Sequence, residues 1–126
     1  MRYDLAIEGG TLVSGTGQEN QNLYIQEGVV AKVTTDRLEA RQHCDASGLL
    51  VLPGMIDGHV HFQDPGDSSR EDFVSGSSAA AVGGVTTVIE HTHSHPVRDA
   101  RFLQEKIAHL QNRSLVDYGL GAHVWP

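Results

Sequence analysis

At 126 residues, with 9 Lys and Arg against 16 Asp and Glu for a formal net charge of -7, the chain can bury one modest core and shows no fibrous or disordered composition. The acidic balance and the lack of a basic run argue against a nucleic-acid partner. No apolar run approaches the ~20 residues that span a bilayer, Asp4 and Glu8 interrupt any secretory signal, and the single cysteine, Cys44, forms no intrachain disulfide, so a cytoplasmic location without membrane contact is expected.

The first third reads as β structure. Tyr3-Asp4-Leu5-Ala6-Ile7 alternates, Gly9-Gly10 punctuates and Thr11-Leu12-Val13 follows, which predicts a hairpin. Asn22-Leu23-Tyr24-Ile25-Gln26 and Val29-Val30-Ala31-Lys32-Val33 repeat the pattern about a Glu27-Gly28 turn. A small antiparallel unit is therefore expected, in which Cys44 is a small buried residue or a bystander. Leu49-Leu50-Val51-Leu52 stops at Pro53-Gly54, a pair that a central strand does not accommodate. The domain boundary is placed there, dividing residues 1–52 from 53–126.

From Met55 the pattern becomes strand, helix, strand, helix, strand, the signature of parallel βαβ units. A strand is expected over residues 55–62. Ser69 is the expected cap of the next helix, with Glu71 and Asp72 suited to the positive end of its dipole. That helix runs through Phe73 and Ala79-Ala80-Ala81 to a left-handed stop at Gly83-Gly84. Val85-Thr86-Thr87-Val88-Ile89, β-branched at almost every position, predicts a buried parallel strand. Pro96 is expected to open a second helix whose Ala100, Leu103, Ile107 and Leu110 form one apolar face, and a third strand follows over 115–120. Two such units suit either a doubly wound sheet or the start of a (β/α)8 barrel, which needs roughly 250 residues to close.

On a strand Asp57, His59 and His61 share one face, opposite Ile56, Gly58, Val60 and Phe62. Imidazoles two residues apart are separated by roughly 7 Å along the strand, near enough to converge on one ion. They also lie at the C-terminal end of the strand, where parallel sheets gather ligands. Alone, a His-x-His pair is as well explained by two histidines satisfying polar partners.

The surrounding run Pro53-Gly54-Met55-Ile56-Asp57-Gly58-His59-Val60-His61-Phe62-Gln63-Asp64-Pro65-Gly66 resembles the metal-binding signature of the amidohydrolase superfamily. The resemblance continues through Glu71-Asp72-Phe73, Gly76-Ser77, Ala79-Ala80-Ala81 and Gly83-Gly84-Val85-Thr86-Thr87, similar to the dihydroorotase, allantoinase and hydantoinase branch. It implies an α/β fold: part of a small β-sandwich domain followed by the start of a TIM-like barrel. It also implies a divalent metal, zinc by default and binuclear in the full-length family, with His59 and His61 as ligands, and a small cyclic amide or ureide as substrate. A full-length protein of this kind is expected to be a homo-oligomer.

Asp64-Pro65-Gly66 is closer to the Glu-Pro-Gly of allantoinases and dihydroorotases than to the hydantoinase loop. Two positions depart from a typical dihydroorotase. Gln63 stands where an arginine could bind a substrate carboxylate, and His93, within Glu90-His91-Thr92-His93-Ser94-His95-Pro96, stands where an asparagine contacts substrate. Gln63 and His93 are the candidate substrate-binding residues, although a merely polar histidine-rich loop is the rival reading for the second. His123 could approach the same mouth, whereas His43 and His109 suit surface or helix-face roles.

The resemblance places the catalytic base, a carboxylated lysine and two further histidines beyond residue 126, so no catalytic residue is named. The chain is accordingly expected to be an N-terminal fragment, unstable alone and without turnover. A non-catalytic scaffold or interaction protein on the same fold is the alternative, and the intact His59 and His61 pair argues against it. A phosphate-cradling open sheet is disfavoured because residues 63–69 lack the required glycine pattern.

Overall fold

The computed structural model describes residues 2–123, in two compact units that meet in sequence at Pro53 and Gly54. The N-terminal unit holds β1 (Tyr3–Glu8), β2 (Thr11–Ser14), β3 (Gly17–Asn20), β4 (Asn22–Gln26), β5 (Val29–Thr34), β6 (Ala40–Asp45) and β7 (Leu50–Val51). They form two sheets, ordered β5-β4-β1-β6 and β3-β2-β7. The β4–β5 hairpin turns at Glu27 and Gly28, whose φ values of 53° and 78° are the left-handed pair that a two-residue hairpin turn favours.

The other expected hairpin does not form. β1 pairs antiparallel with β4 and parallel with β6, while β2 pairs antiparallel with β3 and parallel with β7. The chain leaves one sheet at Gly9 and enters the other at Thr11, so the unit is mixed and not purely antiparallel. Alternation in a sequence specifies strands but not their partners. Ala6, Tyr24 and Ala40 make the small core. The buried Tyr24 hydroxyl accepts from the Leu38 N–H at 2.9 Å and lies 3.1 Å from both the Glu8 carboxylate and the Asp36 carbonyl, either of which can take its proton. Cys44 is exposed, which leaves it a bystander.

The second unit holds β8 (Met55–Val60), α1 (Phe73–Val82), β9 (Val85–Glu90), α2 (Ala100–Leu110) and β10 (Asp117–Leu120). The three strands are parallel in the order β10-β9-β8, and β9, the expected buried strand, is central. β8 ends two residues earlier than expected, at Val60, which pairs with Glu90 after a register slip between Asp57 and Val60. His61 and Phe62 therefore lie beyond the ladder.

Both helices start later than their first signals. Asp72, not Ser69, caps α1: its carboxylate accepts from Ser75 N–H at 2.8 Å and Ser75 Oγ returns a bond to Asp72 N–H at 3.1 Å. The Ser69 hydroxyl instead donates to Asp67. Asp99, not Pro96, caps α2 by accepting from Arg101 and Phe102 N–H at 2.8 and 3.0 Å. A carboxylate satisfies orphan helix donors, whereas proline only tolerates their absence. At the end of α1, Gly83 stays right-handed and Gly84 alone takes the left-handed φ of 83°. On α2 the buried positions are Lys106 and Leu110, and Ile107 is exposed.

Phe62, Phe73, Val88 and Leu110 form the core, with Phe73 edge-on to both Phe62 and Tyr118 at 5.1 Å between ring centroids. α1 approaches this core closely because Gly76 faces Phe62; a Cβ there would lie 2.5 Å from the ring. Asp64 ties the loop after β8 to both helices. Its buried carboxylate accepts from Phe73 N–H at 3.0 Å, His109 Nε2 at 2.6 Å and both Arg113 donors at 3.2 and 2.9 Å. Burial by itself would raise its pKa, but these hydrogen bonds outweigh burial and hold the carboxyl below its usual value. Among the described residues no helix is long and apolar enough to cross a membrane.

Replacing Asp64 by Ala leaves Arg113 and the α1 N-terminus without this acceptor, and should cost about 2–4 kcal/mol in chemical unfolding at pH 7. Because the folded pKa of Asp64 is depressed, its contribution is complete above its unfolded value near 4 and falls as pH drops through the folded value. The stability gap between wild type and variant should therefore be widest at neutral pH and shrink in acid.

Candidate metal centre

The end of β8 carries the first histidine and the segment just beyond it the second. His59 Nε2 and His61 Nε2 face each other at 3.1 Å. Two nitrogens each about 2.0–2.1 Å from a zinc ion at a tetrahedral angle lie about 3.3 Å apart, so this spacing is that of two ligands on one cation. The tautomer of His61 agrees. Its Nδ1 bonds the His91 backbone carbonyl, which can only accept, so Nδ1 carries the proton and Nε2 presents a lone pair. Metal-ligating histidines are oriented in this way by carbonyl or carboxylate acceptors. Without a cation, His59 Nε2–H donates to His61 Nε2.

A ring cluster surrounds the pair. His91 stacks on His59 with centroids 4.4 Å apart, and His93 lies 4.6 Å from His61. His123, after β10, sits 5.1 Å from His93. Burial first, and then the neighbouring His93 and His91, push the His123 pKa down, and its buried Nδ1 has no partner among the described residues. Even so, among the described residues no three His, Cys, Asp or Glu side chains are grouped so as to hold a metal ion. Among the described residues the facing imidazoles are thus a pair and not a complete ligand set.

Next to the pair lies a cleft of about 430 Å³ lined by His61, Gln63, Arg70, Glu71 and His93. Gln63 has a left-handed φ of 57°, and Ser94 Oγ donates to its Oε1 at 2.9 Å, which leaves the amide N–H groups as donors. The candidate residues His59, His61, Gln63 and His93 are thus neighbours. His43 is elsewhere, bonded to Glu8 at 3.0 Å in the N-terminal unit, and His109 belongs to the Asp64 cluster.

Sequence reasoning gave no role to Arg70 or the His91 carbonyl, neither of which shows a periodic signal, and read Glu71 only as a partner of the helix dipole, not as part of the cleft. It also passed over the fully buried ion pair of Glu90 and Lys106. That pair did leave a trace, since Glu90 follows Val88 at strand spacing and Lys106 falls on the helical face of Leu103 and Leu110.

The chain resembles known proteins over most of its length. The model of the amidohydrolase family matches residues 50–117. A dihydroorotase from Methanothermobacter thermautotrophicus is 41% identical over 80% of this chain and 24% of its own length. An allantoinase from Rubrobacter xylanophilus is 41% identical over 98% of this chain and 28% of its own. Among solved structures, L-hydantoinase (dihydropyrimidinase) from Arthrobacter aurescens superposes with a TM-score of 0.85 at 34% identity, covering 94% of this chain and 27% of that one. The chain thus spans about a quarter of the length of these relatives.

The cluster allows no side chain at Gly121: a Cβ there would lie 2.0 Å from His91 Nδ1 and 2.1 Å from Cε1. Gly121→Ala should drive the His91 ring off His59. The ring-proton shifts of both histidines should then move in NMR spectra, with the far-UV circular dichroism of the protein unchanged.

Proposed function

This chain belongs to the amidohydrolase family, and from that premise we propose that it contributes the first half of the metal centre of a cyclic amide or ureide hydrolase. The reading is supported above all by the 3.1 Å Nε2–Nε2 spacing of His59 and His61, with the His61 tautomer fixed for ligation by a backbone acceptor. The parallel β8-α1-β9-α2-β10 order is consistent with the opening of a barrel whose active mouth lies at the C-terminal strand ends. Residues 1–52 would be part of a β-sandwich domain and residues 53–126 the first β/α units of that barrel. The N-terminal unit keeps an open apolar cleft lined by Leu12, Leu23, Val30, Val33 and Leu52 among others, as an incomplete sandwich would.

A divalent cation, zinc by default, would supply Lewis-acid polarisation of a ring carbonyl and a water acidified towards neutral pH. The chain's own part is binding and orientation. His59 and His61 would hold the cation through Nε2. Gln63, its amide turned by Ser94, donates to a substrate carbonyl oxygen, and His93 closes the other side of the cleft. Gln63 is neutral and cannot pair bidentately with a carboxylate, which favours uncharged rings of the kind allantoinases and hydantoinases are named for. No general base is assigned within the chain. The remaining ligands, homo-oligomeric assembly and a cytoplasmic setting belong to the same proposal.

Zinc titration under buffered conditions tests it, run beside a His59→Ala, His61→Ala double variant. Binding at one site per chain that the variant lowers by at least a hundredfold is the expected result. Equal weak binding in both would favour the scaffold reading instead.

A further inference from the structure

We infer that the buried Glu90–Lys106 pair is a positioning device for the histidine pair, fixing the end of β9 so that the His91 carbonyl stands where His61 donates its Nδ1 proton. This deepens the metal-centre reading and rests on it. Glu90 is 0% and Lys106 1% exposed, Lys106 Nζ donates to Glu90 Oε2, and Glu90 Oε1 has no partner among the described residues. Stability is a poor reason for such a pair. Desolvating both charges offsets most of their attraction, and well-packed apolar replacements are often as stable or more so.

Its location supplies a better reason. Glu90 is the last residue of β9, and beyond it the chain becomes a histidine loop. The ties converge on residues 90 and 91. Gly121 N–H donates to the Glu90 carbonyl at 2.8 Å, and His91 N–H donates to the Val60 carbonyl at 2.8 Å. The next carbonyl, that of His91, receives the His61 Nδ1 proton. That carbonyl leaves the ladder, so its direction depends on how firmly residue 90 is held. Lys106 holds it from α2, through a side chain that crosses the core to the strand end. The His61 Nε2 lone pair is thereby aimed at His59.

The test uses Glu90→Gln, Lys106→Met and the double Glu90→Leu, Lys106→Met variant of the intact protein, with three readouts: thermal unfolding, the His61 ring tautomer by ¹⁵N NMR without metal, and zinc affinity. Each single change leaves a buried charge or its partner uncompensated and should lower the melting temperature. The double variant should regain stability yet show a mixed His61 tautomer and bind zinc about tenfold more weakly, the scale of losing an outer partner of a ligand. A double variant with the wild-type tautomer and affinity overturns the inference and leaves the pair a packing feature. If wild type binds no zinc, the metal-centre reading fails by itself, and the tautomer alone still decides whether the pair positions His61.

Discussion

One face of α2 holds the second unit together. Lys106 and His109 lie three residues apart on α2 and Arg113 follows in the turn after it, and each points a cationic or donor group at a buried carboxylate. His109 and Arg113 take Asp64, in the loop after β8; Lys106 takes Glu90, at the end of β9. The two strand ends that frame the histidines are therefore anchored to the same helix by charge-assisted bonds, which are shorter and more directional than apolar contacts. Apolar packing of Phe62, Phe73, Val88 and Leu110 supplies the drive to associate. The carboxylates decide in which register the strand ends come to rest.

Asp64 has a second task that links this anchoring to the helix before the cleft. It accepts the Phe73 N–H, an orphan donor of the first turn of α1, while Asp72 caps the same turn from outside. The α1 N-terminus is thus satisfied twice, from the core and from its own cap. Arg70 and Glu71, which line the cleft, precede that cap directly. The wall of the cleft is consequently positioned by the same buried group that holds the α2 end.

Much of this was legible in the sequence where one residue type has one use. The β-branched run at 85–89, the Glu27-Gly28 turn and the His59, His61 spacing each specify a local geometry, and the structure has the strand, the turn and the facing imidazoles. What was not legible depends on choosing among equivalent groups. Ser69 and Asp72 are both competent caps, and in the fold Ser69 lies in a turn bonded to Asp67 while Asp72 directly precedes the helix. The strands at 3–7 and 11–13 read as partners because they are adjacent, yet each finds a better edge further along the chain. In the site, the acceptor that orients His61 is a backbone carbonyl, and a backbone carbonyl is invisible to any reading of side-chain types.

The asymmetry of the two histidines follows from that carbonyl. His61 already carries its proton on Nδ1, so its Nε2 needs no rearrangement to meet a cation. His59, which donates from Nε2 to His61 when no cation is present, has to move that proton to Nδ1 or lose it before its own lone pair is available. Ordering a ring that is free to turn costs about 0.5–1.5 kcal/mol, a cost that His61, already held by the His91 carbonyl, would be spared if the pair took up a cation. The stacked His91 ring, 4.4 Å from His59, limits that cost on the other side by restricting His59 to one plane. A single residue, His91, therefore holds His61 through its carbonyl and His59 through its ring, and the segment that follows β9 sets the orientation of two imidazoles carried by β8 and its extension.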